Sequence, residues 1–406
     1  MKLKCCATSF LLLVVATIFP APIFGQTFVW TQTSAPTNTW TGIASSSDGT
    51  RLAACSVYPA NVVYTSTNSG LSWTKAANPL FVNPWSLADL VSIASSSDGS
   101  RLVVSSQTTG STTNSGYIYI STDAGQDWIE TSAPWENWYS IALSSNGTIM
   151  FGAGYYGVWG SLNGGQTWNY HTPNAYPGVW NKVACSTDGT KLLAASLNQL
   201  YTSTNSGLNW NLTSATSNYW RSIASSADGT KLVAGNDQHT GLIYASTNSG
   251  LTWLPTSAPS NTYWSVITSS ADGTKLAACS YSGNIYNSTN SGLTWTTNSF
   301  PAYVNSMTSS SDGTKLFATL YGGSGIYMGQ LIVPAQNLSA SITGSGVNLQ
   351  FTGAPNCPYI LESATNLAFP VAWQSVITNT TAASGNWSFT DTNANYFSQR
   401  FFRASQ

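Results

Sequence analysis

Two short motifs alternate down most of this chain, and no other feature restricts its fold as tightly. The first, in outline Ser-x-Asp-Gly, sets its aspartate at Asp48, Asp98, Asp188, Asp228, Asp272 and Asp312, with Asn146 in the place of a seventh. The second, in outline Ser-Thr-Asn-Ser-Gly-x-x-Trp, ends at Trp73, Trp128, Trp168, Trp210, Trp253 and Trp295. Asp48 and Asp312 lie six intervals and 264 residues apart, so one unit averages 44. A period of that size belongs to arrays of small sheets, each too thin to bury its apolar face without a neighbour.

One unit reads as four strands. Residues 264–270 alternate ahead of the turn at Asp272-Gly273, 275–280 form a short apolar run, 284–289 lead into Asn290-Ser291-Gly292, and 293–297 follow. Asp-Gly and Asn-x-Gly between short β-rich runs signal hairpins, because Gly and Asn accept positive φ cheaply. The chain is expected to be all-β, with a seven-bladed β-propeller over 26–331 and a small C-terminal β-sandwich over 332–406. Seven first motifs against six second motifs are reconciled at the ends. The last repeat unit runs to residue 329 with no Trp-bearing strand of its own, while Trp30-Thr-Gln-Thr-Ser-Ala-Pro36 copies Trp128-Ile-Glu-Thr-Ser-Ala-Pro134 and Trp253-Leu-Pro-Thr-Ser-Ala-Pro259. The N-terminal strand therefore completes the last blade and covers an edge that would otherwise template aggregation.

The second motif carries a family resemblance. Ser66-Thr-Asn68-Ser-Gly70-Leu-Ser-Trp73 resembles the Asp-box of bacterial neuraminidase-type repeats, and Ser121-Thr-Asp123-Ala-Gly125-Gln-Asp-Trp128 carries the Asp itself. Propellers with this box include sialidases, xyloglucan-active glycosidases, sortilin-type receptors and the photosystem II stability/assembly factor group, which the unit resembles most. The resemblance implies a fold and no reaction, since propellers host many functions. The boxes read as structural turns: five of six hold Asn, whereas a calcium loop needs several carboxylates. No metal or cofactor is expected.

Composition narrows the partners. Lys2 and Lys4 precede an apolar run at 10–19 and Ala21-Pro-Ile-Phe-Gly25, the pattern of a signal peptide over 1–25. The mature chain is expected to be secreted or periplasmic, monomeric and without a membrane insertion of its own. Charged residues make up 7% and the net charge is −1, so nothing steers nucleic acid or anionic lipid. Of fourteen carboxylates, those outside the motifs and the C-terminal region are Asp89, Glu130, Glu136 and Asp237. A glycosidase needs two facing one sugar, and Asp89 and Asp237 lie on segments that share a side of the ring. A sialidase site would need an arginine triad, yet Arg51 and Arg101 hold strand-start slots taken elsewhere by Lys191, Lys231, Lys275 and Lys315, leaving Arg221 free. His171 and His239 lack partners in spacing and read as loop residues. Cys55, Cys185 and Cys279 read as free thiols in separate blades.

What remains is aromatic. The links from each outer strand to the next inner strand carry Trp40, Trp85, Trp135, Trp138, Tyr139, Tyr176, Trp180, Tyr219, Trp220, Tyr263, Trp264 and Tyr303. Four-strand topology puts these links on one face of the ring, opposite both motifs. Aromatic rings rimmed by Asn, Ser and Thr suit stacking on sugars or peptides. The candidate ligand set is Trp85, Trp135, Trp138, Tyr176, Trp180, Trp220, Arg221, Trp264, Tyr303, Asp89 and Asp237. A Trp recurring at one slot (Trp40, Trp138, Trp180, Trp220, Trp264) also fits packing between blades, whereas Trp85, Trp135, Tyr176 and Tyr303 are not required by the repeat. The expected role is a non-catalytic exported binding protein for a neutral polysaccharide or a protein partner. A divergent glycoside hydrolase or lyase using Asp89, Glu136 or Asp237, and an assembly scaffold for an envelope complex, stay open.

Overall fold

The computed structural model describes residues 28–405 apart from 59–60, 77–87, 109–115, 173–178, 238–240, 261, 299, 301–302, 324, 332–335, 344–345, 354–357, 365–373, 383–385 and 393–400. The proposed signal peptide lies outside them, as does His239. Every regular element among the described residues is a strand. The chain divides into two compact units, Thr27–Leu331 and a second that holds Ile332–Gln406.

The first unit is a propeller of seven four-stranded antiparallel sheets. Blade 6 shows the plan, running outward as Trp264–Ser269, Leu276–Ser280, Ile285–Ser288 and Thr296–Asn298. Blade 7 runs Val304–Ser309, Lys315–Leu320 and Ile326–Leu331, and its outer strand is Phe28–Gln32 from the opposite end of the chain. The pairing is antiparallel, with Trp30 opposite Gly329 and Gln32 opposite Tyr327. Thr33-Ser34 then does for blade 1 what its copies do elsewhere. Ser34 donates to the Leu71 carbonyl at 2.8 Å, as Ser132 does to Gln166 and Ser257 to Leu293, each at 2.7 Å. In blade 3 the threonine slot of these segments is filled by His171, which is buried against Phe151 and Gly207 rather than exposed in a loop.

The two motifs build the end of the ring opposite the links. In each Asp-Gly turn a serine donates to the aspartate, as Ser226 does to Asp228 at 2.6 Å, and the carboxylate accepts the Thr230 N–H at 3.0 Å. Gly229, at φ +66°, lies under the Lys191 stem of the preceding blade, 2.7 Å from where a Cβ would sit. The residue before each turn aspartate also bonds to its counterpart in the next blade. Ser47 N–H donates to Ser97, Ser97 to Ser145, Ser145 to Thr187, Thr187 to Ala227, Ala227 to Ala271, Ala271 to Ser311 and Ser311 back to Ser47, at 2.7–2.9 Å. These seven backbone bonds form a closed belt. In the box hairpins the Asn or Asp organises its own turn: Asn68 accepts from Ser72 N–H at 2.8 Å, and Gly70 N–H donates to Ser66 at 2.9 Å.

Apolar side chains fill the spaces between blades. Leu193 and Leu200 of blade 4 pack with Trp220, Ile223 and Ala234 of blade 5, and equivalent clusters recur around the ring. In the second unit, Gln336–Thr343, Gly346–Thr352 and Asn386–Asp391 form one sheet, and Gln374–Thr380, Pro358–Ala364 and Phe401–Ser405 another. Both contribute to one core of Leu349, Phe351, Tyr359, Leu361, Trp387 and Phe402.

Two outcomes are expected. Deleting residues 27–36 removes the fourth strand of blade 7 and bares an edge, so the truncated chain should aggregate or melt well below the full chain in light-scattering and thermal-melt measurements. The second concerns acid. The Ser96 and Ser226 hydroxyls, then backbone N–H groups, hold the carboxyls of Asp98 and Asp228 down at about 2. A carboxyl depressed by folding contributes stability above its ordinary pKa and loses it as pH falls through the folded value. The melting midpoint should therefore drop as pH falls from about 4 to about 2. Asn146 already fills this slot, accepting from Ser144 at 2.7 Å, so D98N and D228N should fold and flatten that acid limb.

Candidate functional site

A β-bulge interrupts the start of every inner strand, at Thr41, Val91, Tyr139, Asn181, Arg221, Ser265 and Asn305. A bulge re-aims the side chain of its extra residue. Six of these residues are half-buried, while Arg221 is exposed.

Just outside the bulges, a repeated backbone bond places a second layer. Asp237 N–H donates to the Tyr219 carbonyl at 2.9 Å, Tyr281 to Tyr263 at 3.0 Å, Tyr321 to Tyr303 at 2.9 Å and Tyr155 to Asn137 at 3.1 Å. Each bond ties the end of a second strand to the link that enters its own inner strand. In blades 6 and 7 both positions are tyrosine, and the rings join into a continuous arc. Tyr263 meets Tyr281 edge-on at 6.2 Å, Tyr281 lies 4.8 Å from Tyr303, and Tyr303 meets Tyr321 edge-on at 5.5 Å. Tyr321 is 68% exposed and Tyr281 38%, so the arc offers ring faces to solvent. Gly322 and Gly323, both with positive φ and open space around them, leave room beside Tyr321.

The arc lies within an electrostatic group. Burial raises the Tyr303 hydroxyl pKa, followed by Tyr281; Arg221 opposes the rise and Asp237 adds to it. Asp237 is raised by burial, with Arg221 pulling the other way. Arg221, Asp237 and Tyr303, from blade 5 and the link into blade 7, are thus brought into one field.

The other expected residues separate into three groups. Trp138, Trp220 and Trp264 are fully buried and Trp180 is 3% exposed, which corrects their assignment as ligand contacts. Each packs into the preceding blade: Trp138 joins Val103 and Ile118, Trp180 joins Phe151 and Val158, and Trp220 and Trp264 follow suit. Edge-on rings at 5.1–5.6 Å, Tyr64 against Trp40, Tyr244 against Trp220 and Tyr286 against Trp264, complete those contacts. Trp85 and Tyr176 lie outside the described residues. Trp135 is 71% exposed in the link into blade 3, apart from the tyrosine arc. Beside it, Glu136 is 2% exposed and accepts the Tyr156 N–H. Burial pushes its carboxyl up to about 7, only partly offset by that bond. Asp89 is half-buried on the inner strand of blade 2, opposite Gln107.

Tyr281 and Tyr321 were not expected from the sequence. The available signal was their offset, five residues after Leu276 and Leu316, the place that Asp237 holds after Leu232 and Tyr155 after Met150. At the motif end of the ring an open basin of about 290 Å³ is walled by residues including Ser45, Ser95, Cys185 and Ser225. Among the described residues no group of three His, Cys, Asp or Glu side chains is placed to hold a metal.

The fold defines the chain as a seven-bladed β-propeller. No protein-family model matches the chain, and no curated protein matches its sequence. Among solved structures it is similar to the GH74 xyloglucanase from Xanthomonas campestris, with TM-score 0.60 and 12% identity, covering 80% of this chain and 59% of that one. It is also similar to YCF48 from Cyanidioschyzon merolae, with TM-score 0.57 and 16% identity over 74% of this chain and 98% of that one. A YCF48 chain bound to D1 peptide matches with TM-score 0.56 and 14% identity, over 75% and 96% of the two chains. At these identities the likeness concerns the fold, and the chain spans 59% of the xyloglucanase.

Burial separates the two classes of aromatic residue by experiment. Trp220→Ala should lower stability by about 3–5 kcal/mol in denaturant melts. Tyr281→Ala should shift it by about 1 kcal/mol or less.

Proposed function

We propose that this chain is an exported, non-catalytic binding protein whose link face engages a glycan or a protein segment through the tyrosine arc. The observation that carries the reading is the run Tyr263, Tyr281, Tyr303 and Tyr321, four rings in sequential contact with the second and last open to solvent. Tyrosine offers a rigid apolar face with a polar tip, which suits sugar rings and extended peptides. Fold neighbours of both kinds support the choice, one a xyloglucanase and one bound to a peptide. The charge-poor composition favours a ligand that is neutral along most of its length. Export rests on the charged and apolar pattern of residues 1–25.

A hydrolytic reading has one specific observation in its favour. Glu136 is a buried carboxylic acid held near neutrality, the property of a general acid. That reading requires a second carboxylate across the same ligand, and Asp89 of the neighbouring blade is the residue it would use.

The test is retention of the full chain on immobilised polysaccharides and on peptide arrays. Binding that Tyr281→Ala and Tyr321→Ala abolish while Glu136→Gln leaves it intact is the expected outcome. Retention on neither material sinks the binding reading, and release of reducing ends that stops with Glu136→Gln replaces it by hydrolysis.

A further inference from the structure

Blade 3 departs from its neighbours at one buried slot. Two residues before the recurring Trp, blades 1, 5 and 6 hold Asn38, Asn218 and Thr262, which cannot ionise. Blade 3 holds Glu136 there, 2% exposed and turned toward the hairpin that joins its second and third strands, Met150–Gly154 and Val158–Ser161. Its carboxylate accepts the Tyr156 N–H. Gly154 makes room for it, since a Cβ there would lie 2.7 Å from the Glu136 carboxyl carbon.

The hairpin is short and held by few bonds. Gly154 N–H donates to the Gly157 carbonyl at 2.9 Å and Tyr155 N–H to that of Asn137 at 3.1 Å. The Tyr170 hydroxyl donates to the Tyr156 carbonyl at 3.1 Å. Tyr155 and Tyr156 are 43% and 48% exposed, with their rings edge-on at 5.0 Å. Tyr155 holds in blade 3 the backbone place that Tyr281 and Tyr321 hold in the arc.

No cation balances the Glu136 carboxylate. From Leu102 to Asn181 the sequence contains no Lys or Arg, and its one histidine, His171, packs against Phe151. The titratable groups around Glu136 are phenols: Tyr139 on its own inner strand, and Tyr155 and Tyr156 on the hairpin. On the first two strands of blade 2, whose Thr108 bonds to Asn137, the ionisable residue is Asp89, a second carboxylate. A buried carboxyl without a cation favours its neutral form. Burial accordingly pushes that of Glu136 up to about 7, against the opposing pull of Tyr156, Trp159 and Gly157.

We propose that Glu136 is a pH-sensitive latch on the Tyr155-Tyr156 pair, closed while its carboxyl is neutral and released when it ionises. A charge in this site has no counter-ion and little hydration, so ionisation favours a state in which the carboxylate reaches water. The least costly such state lifts the two tyrosines between Gly154 and Gly157 and leaves the sheet intact. A carboxyl whose pKa is raised in the closed form stabilises that form below its ordinary pKa, and the contribution is lost as pH rises through the raised value. The aromatic surface that blade 3 offers on the link face therefore changes near neutrality. This role asks for no substrate, whereas a general acid must face one, and it stands whether or not the arc binds a ligand.

The test follows ionisation and opening together in the full chain. Glu136 is one of three glutamates, so carboxyl NMR with carbon-labelled glutamate resolves its titration. One signal, missing in Glu136→Gln, should titrate near neutrality. Hydrogen exchange of residues 151–158, corrected for intrinsic rates, should show opening that rises about tenfold per pH unit between about 5 and about 7 and then levels off. Glu136→Gln keeps an acceptor for Tyr156 and carries no charge, so it should hold opening at the acid level throughout. The hairpin at Tyr281 should show no such rise. A Glu136 titration in the ordinary carboxylate range overturns the proposal. So does a neutral titration with exchange that stays flat, or that is identical in Glu136→Gln. Should that variant not fold, the unaltered chain decides, because the titration midpoint and the end of the rise in opening must coincide.

Discussion

Seven backbone hydrogen bonds, passed from Ser47 through Ser97, Ser145, Thr187, Ala227, Ala271 and Ser311 back to Ser47, are the constraint on which the rest of this propeller depends. Each joins a turn to the next turn, and because the last returns to the first, no blade has a free inner end. A single such bond contributes on the order of 1 kcal/mol net. Its structural effect is larger, since it sets how far each inner strand sits from its neighbour, and therefore how much room remains between sheets. That room is filled by apolar clusters drawn from both neighbouring blades, with Trp40 and Ile43 packed in one cluster with Phe317 and Ile326 at the closing seam. Belt and seam act together: without Phe28–Gln32 the seam lacks its outer strand, and without the belt the blades have no common radius.

The two ends of the ring divide the labour. At the motif end, carboxylates and hydroxyls are consumed by their own turns, as when Ser310 and Thr314 both donate to Asp312. At the link end the backbone leaves residues to vary, because one bond from the second strand to the link anchors the loop whatever side chains it carries. Tyr281–Tyr263, Asp237–Tyr219 and Tyr155–Asn137 are three fillings of one backbone device. Variation can accumulate there without loosening the core, and the tyrosine arc is its product.

Legibility followed this division. The ring and its closure could be read because turn chemistry is local: Asp-Gly and Asn-x-Gly impose their geometry within four residues, and Trp30 to Pro36 repeats a segment whose place was already defined. The site was legible only in part. Arg221 and Tyr303 stood out because they break the repeat, but the tryptophans that keep it, such as Trp138 and Trp220, proved to be interior. A recurring aromatic satisfies a packing requirement and a binding requirement equally well on paper, and burial alone separates them.

Sequence alone determined the number of sheets, the turns between strands and the exchange of the leading strand, since each follows from spacing and from the φ preferences of a few residues. Tertiary structure decided which aromatic rings face solvent and which are interior. Tyr263, Tyr281, Tyr303 and Tyr321 meet only because links and second-strand ends from two blades converge at one rim. That convergence is set by strand curvature and ring radius, quantities that no local stretch of the chain encodes.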